Sequence, residues 1–493
     1  MKRLAWTLSI TLLSILVFNS CTLRFKGPII SQNNNPGGGG GGVDELVVLA
    51  PIMNPTAGPV FVGAEIAMSS KTDGASIYYN VGNGAQKDPN ETNAILYDPD
   101  NKPVINSAAV IKAIAVKKGY SSSEVVSAEF TIATPRPVYA VGHIPSYDSV
   151  SVGGLVKLDR YGTLDEAFIA NEAIGLYSDV DYFSVAAQED GKIIAGGHGN
   201  YISMDMMARF NADGNLDPSM GGAFGSAIYD APIAISKDGR VVIQALLSGS
   251  HGRLSAFDTD GTRDLVTFTD FNTDVGAGNR INSIKFQDDG KILIAGQFGS
   301  YAAVVRNNIA RLNTDGTVDD SFNVGSGTDD YIDAVAVQDD GKVLIAGNFT
   351  LYKGVPVGRI VRLNTNGSID TSFDAGSGAS DYITSIAVQS DGKILIAGNF
   401  VLYNGVDAIR IARLNSDGSL DDTFASGLGP DNVINAIALQ SNRSILICGA
   451  FGSYDGASIG IVASLNSDGT LDGAFLSAPK DADSECYSIA VGF

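Results

Sequence analysis

Six tyrosines recur along the C-terminal two-thirds of the chain: Tyr147, Tyr201, Tyr301, Tyr352, Tyr403 and Tyr454. Acids recur out of phase with them, Asp330 and Asp381 being the clearest, with Asp179, Asp181, Asp230, Asp329, Asp431, Asp481 and Asp483 at related places. Aromatic rings beside carboxylates suit sugars or cationic peptides, because ring faces stack on apolar patches and attract cations. The opposing reading is that a residue repeated in six units braces six identical loops. The three histidines, His143, His198 and His251, fall only in the first units. His143 and His198 occupy the slot filled by Gln297, Asn348 and Asn399 later on, which favours a polar strand end over a metal ligand, and no zinc spacing supports the latter. In an EF-type calcium loop glycine would stand sixth and glutamate twelfth. In the NTDG turn Gly316 comes fourth and Val324 twelfth, so hairpin chemistry is expected there instead. No nucleophile elbow, P-loop or HExxH motif is present. The expectation is a binding protein with no catalytic residues, cofactor or metal. An enzyme acting on polysaccharide is the second class.

These residues sit in a repeat. SIKFQDDGKILIAGQF, AVAVQDDGKVLIAGNF and SIAVQSDGKILIAGNF begin at residues 283, 334 and 385, and a second phrase of the type LNTDGTVDDSF recurs seven times from residue 158 onward. A period near 50 with several short strands per unit marks a β-propeller. Four strands per unit are expected, as in AVAVQ, KVLIAGNF, GRIVRLN and SIDTSF. The D-G and N-G pairs supply the positive φ of tight hairpins. The second strand is almost continuously apolar, which suits a blade covered on both faces. The array over 137–493 opens with VYAVGH, a second strand, and ends with YSIAVGF, a first strand. The fold class is therefore all-β: a seven-bladed propeller closed by pairing its N- and C-terminal strands, which removes the exposed sheet edges of an open ring. The D-G turns would share one face, and the tyrosine loops and acidic loops the other. These units resemble the bacterial delta-60 repeat family, whose members are exported, and the resemblance implies an adhesive or scaffolding role.

Upstream the chain changes character. Residues 1–20 have a basic start, an apolar stretch from Leu4 to Phe18 and small or polar residues before Cys21, the pattern of an export signal. The run FNSC resembles a lipobox, which implies cleavage before Cys21 and lipid on that residue. Residues 21–45, rich in Asn and Gly, form a flexible tether of roughly 25–30 Å. Residues 46–133 show short alternating runs with Gly, Asn and Pro punctuation and predict a small Ig-like β-sandwich. PIMNPTAGP, ASIYY and VIKAIAVKKGYSSSEVVSAEFTI carry a resemblance to the chitobiase and β-hexosaminidase C-terminal-like domain, which implies spacing or glycan contact. A formal net charge of -21 argues against nucleic acid as partner. Cys448 and Cys486 lie in strand-like segments and read as small buried residues ahead of a bridge between neighbouring strands. The expected protein is a lipoprotein of the bacterial cell envelope, at the outer membrane or cell surface. It would attach to the membrane through Cys21 and present a propeller to a glycan or protein ligand.

Overall fold

The computed structural model describes residues 46–493 except 56, 61–62, 133–135, 170–179, 200–204, 221, 225–231, 248–250, 265–279, 476 and 478–482. The expected signal peptide, Cys21, the tether, Tyr201, Asp179, Asp230 and Asp481 lie outside the described residues, as do the side chains of His198 and His251. Two compact units divide the chain: one takes in the described residues up to Ala57 and Ala64–Phe130, the other Gly58–Gly63 and Thr131–Phe493.

In the smaller unit, Ser76–Gly82, Ala109–Val116 and Val126–Ile132 run antiparallel in one sheet, with Ile95–Leu96 paired to the first of them. Alternate residues Ile111, Ala113 and Ala115 are fully buried, the period-two pattern of a strand covered on one face. Two short antiparallel pairs form sheets of their own: Ile52–Asn54 with Ala67–Ser69, and Ala64–Glu65 with Val104–Ile105.

The larger unit is a β-propeller. Among the described residues it holds seven antiparallel sheets of three or four strands, and their inner strands pack side by side around a common axis. In chain order of the sheets those inner strands are Glu485–Val491, Val180–Ala187, Ile233–Ile235, Arg280–Phe286, Ile332–Val337, Ile383–Val388 and Ile434–Leu439. The first sheet joins the two ends of the array, with Val138 opposite Val491 and Ala140 opposite Ile489. Second strands such as Val343–Gly347 and Ile394–Gly398 are buried at every residue, as their unbroken apolar sequence requires. The D-G turns close as expected, with Gly341 at φ 77 and Gly367 at φ 81.

The expected fourth strand is shorter than the sequence suggested. In the repeating sheets it touches the third strand through single bridges, Leu312 to Val318, Leu363 to Ile369 and Leu414 to Leu420. Its polar residues are used elsewhere. Arg362 on the third strand donates through Nε to Asp370 at 2.7 Å, through Nη2 to the Ser372 hydroxyl at 3.0 Å, and through Nη1 to the Ser416 carbonyl at 2.5 Å. Phe373 lies under the guanidinium, 5.1 Å from its carbon to the ring centre. The phrase that ends in Asp-x-Ser-Phe is thus a cradle for a buried arginine, and the third contact reaches a turn of the next sheet. Arg209 and Arg311 repeat it at Thr259 and Thr365, and Arg413 repeats it at Ser467. Burial works to raise the pKa of Asp370, but bonds from Ser372, Lys342 and Arg362 outweigh it and hold the carboxyl well below its usual range. The stabilisation is full above that range and is lost as pH falls from it toward the lowered pKa.

Two sheets depart from the cradle in a compensated way. The first uses Lys157, which pairs with Asp165 at 2.9 Å and donates to the Ala212 carbonyl of the second sheet. In the third, position 255 is serine, and the lysine of the D-G-K turn is replaced by Arg240. Arg240 takes over both contacts, to Asp264 at 2.7 Å and to the Thr314 carbonyl of the next sheet at 2.8 Å. The seventh sheet has Ser464 and Ser444 at the two places where a cation could stand. There a disulfide joins Cys448, on the second strand of the seventh sheet, to Cys486 on the closing strand of the first. The expectation that these cysteines are merely small buried residues is corrected: both are fully buried, and they are bonded across the seam at which Ser464 replaces the linking arginine.

Substituting Arg362→Ala removes the nearer of the two cations paired with the buried Asp370 carboxylate and frees the Ser416 carbonyl. The expected loss is about 3–5 kcal/mol in unfolding free energy, read from urea denaturation of the full chain at neutral pH.

Candidate functional site

The second strand of a unit ends in Gly, as in the run I-A-G-N-F. A Cβ added at Gly347 would lie 2.5 Å from the Tyr331 carbonyl oxygen and 2.8 Å from the Ile332 Cα. The opposing inner strand comes this close because it bulges: Ile332 pairs with Gly347 and Ala334 with Ala346, so Asp333 is left over. The same extra residue occurs at Phe183, Asn282, Thr384, Asn435 and Tyr487. Bulges re-aim a side chain out of the ladder. Here they turn six residues of six inner strands toward the axis.

These residues wall a cavity of about 430 Å³ on the propeller axis, together with Arg280 and Glu485 from the strand starts. Phe183 and Tyr487 stack, with ring centres 5.3 Å apart and planes at 25°. The remaining wall is polar. Asn282 donates from Nδ2 to Asp333 Oδ1 and to the Ile332 carbonyl, both at 3.0 Å. Asn435 donates to Glu485 Oε1 at 3.0 Å and to the Cys486 carbonyl at 2.9 Å. Thr384 donates to the Ile434 carbonyl at 2.6 Å. The buried Oδ1 of Asn282 accepts no hydrogen bond. Burial pushes the Asp333 carboxyl up to about 7, against the pull of Arg280 and the Asn282 bond, with the Asp330 charge adding to the rise. Tyr331 and Tyr382 also begin inner strands, and burial followed by nearby carboxylates raises both phenols.

Of the two readings of the recurrent tyrosines, the ligand-facing one is corrected. Tyr301, Tyr352 and Tyr403 are fully buried, Tyr147 and Tyr454 nearly so. Each hydroxyl donates to a glycine carbonyl fifteen residues on, at 2.8–3.2 Å: Gly162, Gly316, Gly367, Gly418 and Gly469. Those glycines belong to the D-G turns, which the strand order had assigned to the opposite face. The tyrosine therefore runs along the third strand and ties its two ends together. A buried ring offers no stacking face to a ligand, so these five brace the blade. Tyr201 lies outside the described residues.

Asp330 and Asp381 are half-buried and accept from Asn348 and Asn399 at 2.7 and 2.8 Å, and from the next backbone N–H. They anchor the loop that leads into an inner strand. His143 Nδ1 lies 2.8 Å from Asp181 Oδ1, at the start of the neighbouring inner strand. Among the described residues no group of three or more His, Cys, Asp or Glu could hold a metal ion. Sequence reasoning missed the axial residues because it followed what repeats. The signal was the reverse: at the bulge position the repeat reads Phe, Asn, Asp, Thr, Asn, Tyr.

Five segments, 188–219, 287–322, 338–373, 389–424 and 440–475, match the family described as a domain of unknown function (DUF5122) β-propeller. Residues 66–130 match the family described as Fn3 associated. No curated protein matches the chain. Similar solved structures include a protein from Lactobacillus plantarum, 12% identical with a TM-score of 0.43, over 73% of this chain and 99% of that one. The propeller domain of the trilobed protease of Pyrococcus furiosus is 11% identical at 0.37, over 58% and 81%. PorZ, a surface component of the type-IX secretion system of Porphyromonas gingivalis, is 12% identical at 0.35, over 83% of this chain and 56% of that one. Likeness of this degree assigns no activity to the chain.

A carboxyl whose pKa is raised by burial costs stability wherever it is ionised in the unfolded state, because the folded state must then either bind a proton or hold the charge in a poorly solvated place. For Asp333 the cost grows as pH rises from the ordinary carboxylate range to about 7 and is full above it. Asp333→Asn should therefore melt higher than the wild type at pH 8, and the gap should close as pH falls toward 4, in paired thermal scans.

Proposed function

We propose that this protein is an exported, lipid-anchored scaffold of the bacterial cell envelope that binds a glycan or protein ligand at the axial mouth of its propeller. The observation that carries the binding reading is the asymmetry of that mouth. Residues that hold the blades together recur from sheet to sheet, whereas those turned onto the axis differ at nearly every sheet. A ring built only for stability has no use for five residue types at one position of six sheets. A stacked aromatic pair facing amides and carboxyls is a few placed polar groups around an apolar surface, the usual composition of a ligand site.

The anchoring half of the proposal rests on the N-terminal pattern and on the resemblance of the array to delta-60 repeats. The smaller β unit, with its likeness to chitobiase C-terminal-like modules, would act as a spacer or glycan contact. A second reading, a polysaccharide lyase or hydrolase, draws on Asp333: a carboxyl near neutrality is suited to proton transfer.

Two experiments test these halves separately. Cys21→Ala should move the protein from the membrane fraction to the soluble fraction and abolish incorporation of radiolabelled fatty acid; an unlabelled wild type would end the lipid assignment. The secreted Cys21→Ala chain, applied to glycan and protein arrays, should bind a restricted set of ligands, and Tyr487→Ala should weaken that binding at least tenfold. Binding indifferent to Tyr487 would move the site elsewhere. New reducing or unsaturated ends in the bound glycan, absent with Asp333→Asn, would favour the enzyme.

A further inference from the structure

One position on the inner strands is alanine in six sheets: Ala186, Ala234, Ala336, Ala387, Ala438 and Ala490. In the fourth sheet it is Lys285. That lysine lines the axial cavity, and it also lines the neighbouring cavity of about 750 Å³ on the D-G side. Among the described residues it has no hydrogen-bond or ion-pair partner. It is exposed to the water of the channel yet encircled by inner strands, and this enclosure lowers its pKa. A long cation set where six alanines suffice, with no internal anion, has no structural work to do.

The same strand supplies Arg280 and Asn282 to the same cavity. The two carboxyls of the wall are already engaged, Asp333 by Asn282 and Glu485 by Asn435. The orphan acceptor on Asn282 calls for a donor from outside, as a hydroxyl provides. The Phe183 and Tyr487 pair offers an apolar platform of the kind pyranose faces cover. We propose, on the axial-site reading above, that the cavity takes the end of an acidic saccharide: a sugar ring on Phe183 and Tyr487, a hydroxyl donating to Asn282, and a carboxylate paired with Lys285. The acidic body does not forbid this, since charges beyond a Debye length of about 8 Å are largely screened and the local cations decide.

The test uses trigalacturonate, its methyl ester and neutral galactotriose with the secreted full chain carrying Cys21→Ala, by calorimetry at low and moderate salt. Trigalacturonate should bind at least tenfold more tightly than the other two, with an affinity that falls as salt rises. Lys285→Ala restores the residue present at this position in six sheets, so the variant should keep the wild-type melting temperature. It should bind trigalacturonate at least tenfold more weakly, and Lys285→Arg should recover part of the loss. Equal binding of galactotriose, binding of trigalacturonate indifferent to Lys285, or no binding of trigalacturonate would each overturn the proposal. So would an acetylated tripeptide with a free carboxyl terminus that competes for Lys285 in place of the sugar. Failure here leaves the axial site standing if an array ligand still depends on Tyr487, so the two readings are judged by different measurements.

Discussion

A buried guanidinium carries five N–H donors, and the third-strand arginines Arg209, Arg311, Arg362 and Arg413 do not satisfy theirs within one sheet. Arg362 spends part of its donors on Asp370 and Ser372 and the rest on a carbonyl of the following sheet. Each sheet therefore depends on its successor, and the apolar faces of the second strands are covered only when the successor is in place. The dependence explains why the fourth-strand segment gives up its ladder: its Asp and Ser serve the arginine better than they would serve a strand edge. It also explains the third sheet, where the cation has moved from the third strand to the first turn and both of its partners are retained. The chemistry is kept and the address changes.

The axis obeys a second constraint, independent of the first. A glycine at the end of each of six second strands allows the inner strand to bulge, and the bulge frees one side chain per sheet from the ladder. The scaffold fixes where that side chain emerges but does not fix what it is. A stacked aromatic pair, two amides, a hydroxyl and a carboxyl held near neutrality can then share one cavity without disturbing the repeat. Stability and recognition are thereby divided between different positions of the same strand.

Much of the architecture was legible because repetition multiplies weak signals. The D-G turns, the apolar second strands and the matching ends led to the propeller and to its closure between Val138 and Val491. The tyrosines left two readings open: repetition at Tyr352 and Tyr403 suits a brace or a ligand surface, and the buried hydroxyl contacts to Gly367 and Gly418 favour the brace. The axial residues were hidden because their neighbourhood is assembled from strands some fifty residues apart, and a bulge shifts which residue faces inward. The disulfide needed the fold too, since nothing in the spacing of Cys448 and Cys486 says that the closing strand returns beside the seventh sheet.

The bond between those cysteines closes a loop between positions 38 apart in sequence. A single backbone cut within that loop leaves two pieces that are still covalently one molecule, and the closing strand stays seated between its neighbours. The strand that closes the ring is in this protein retained after nicking. After one such nick, no piece leaves the molecule until a protease cuts a second time.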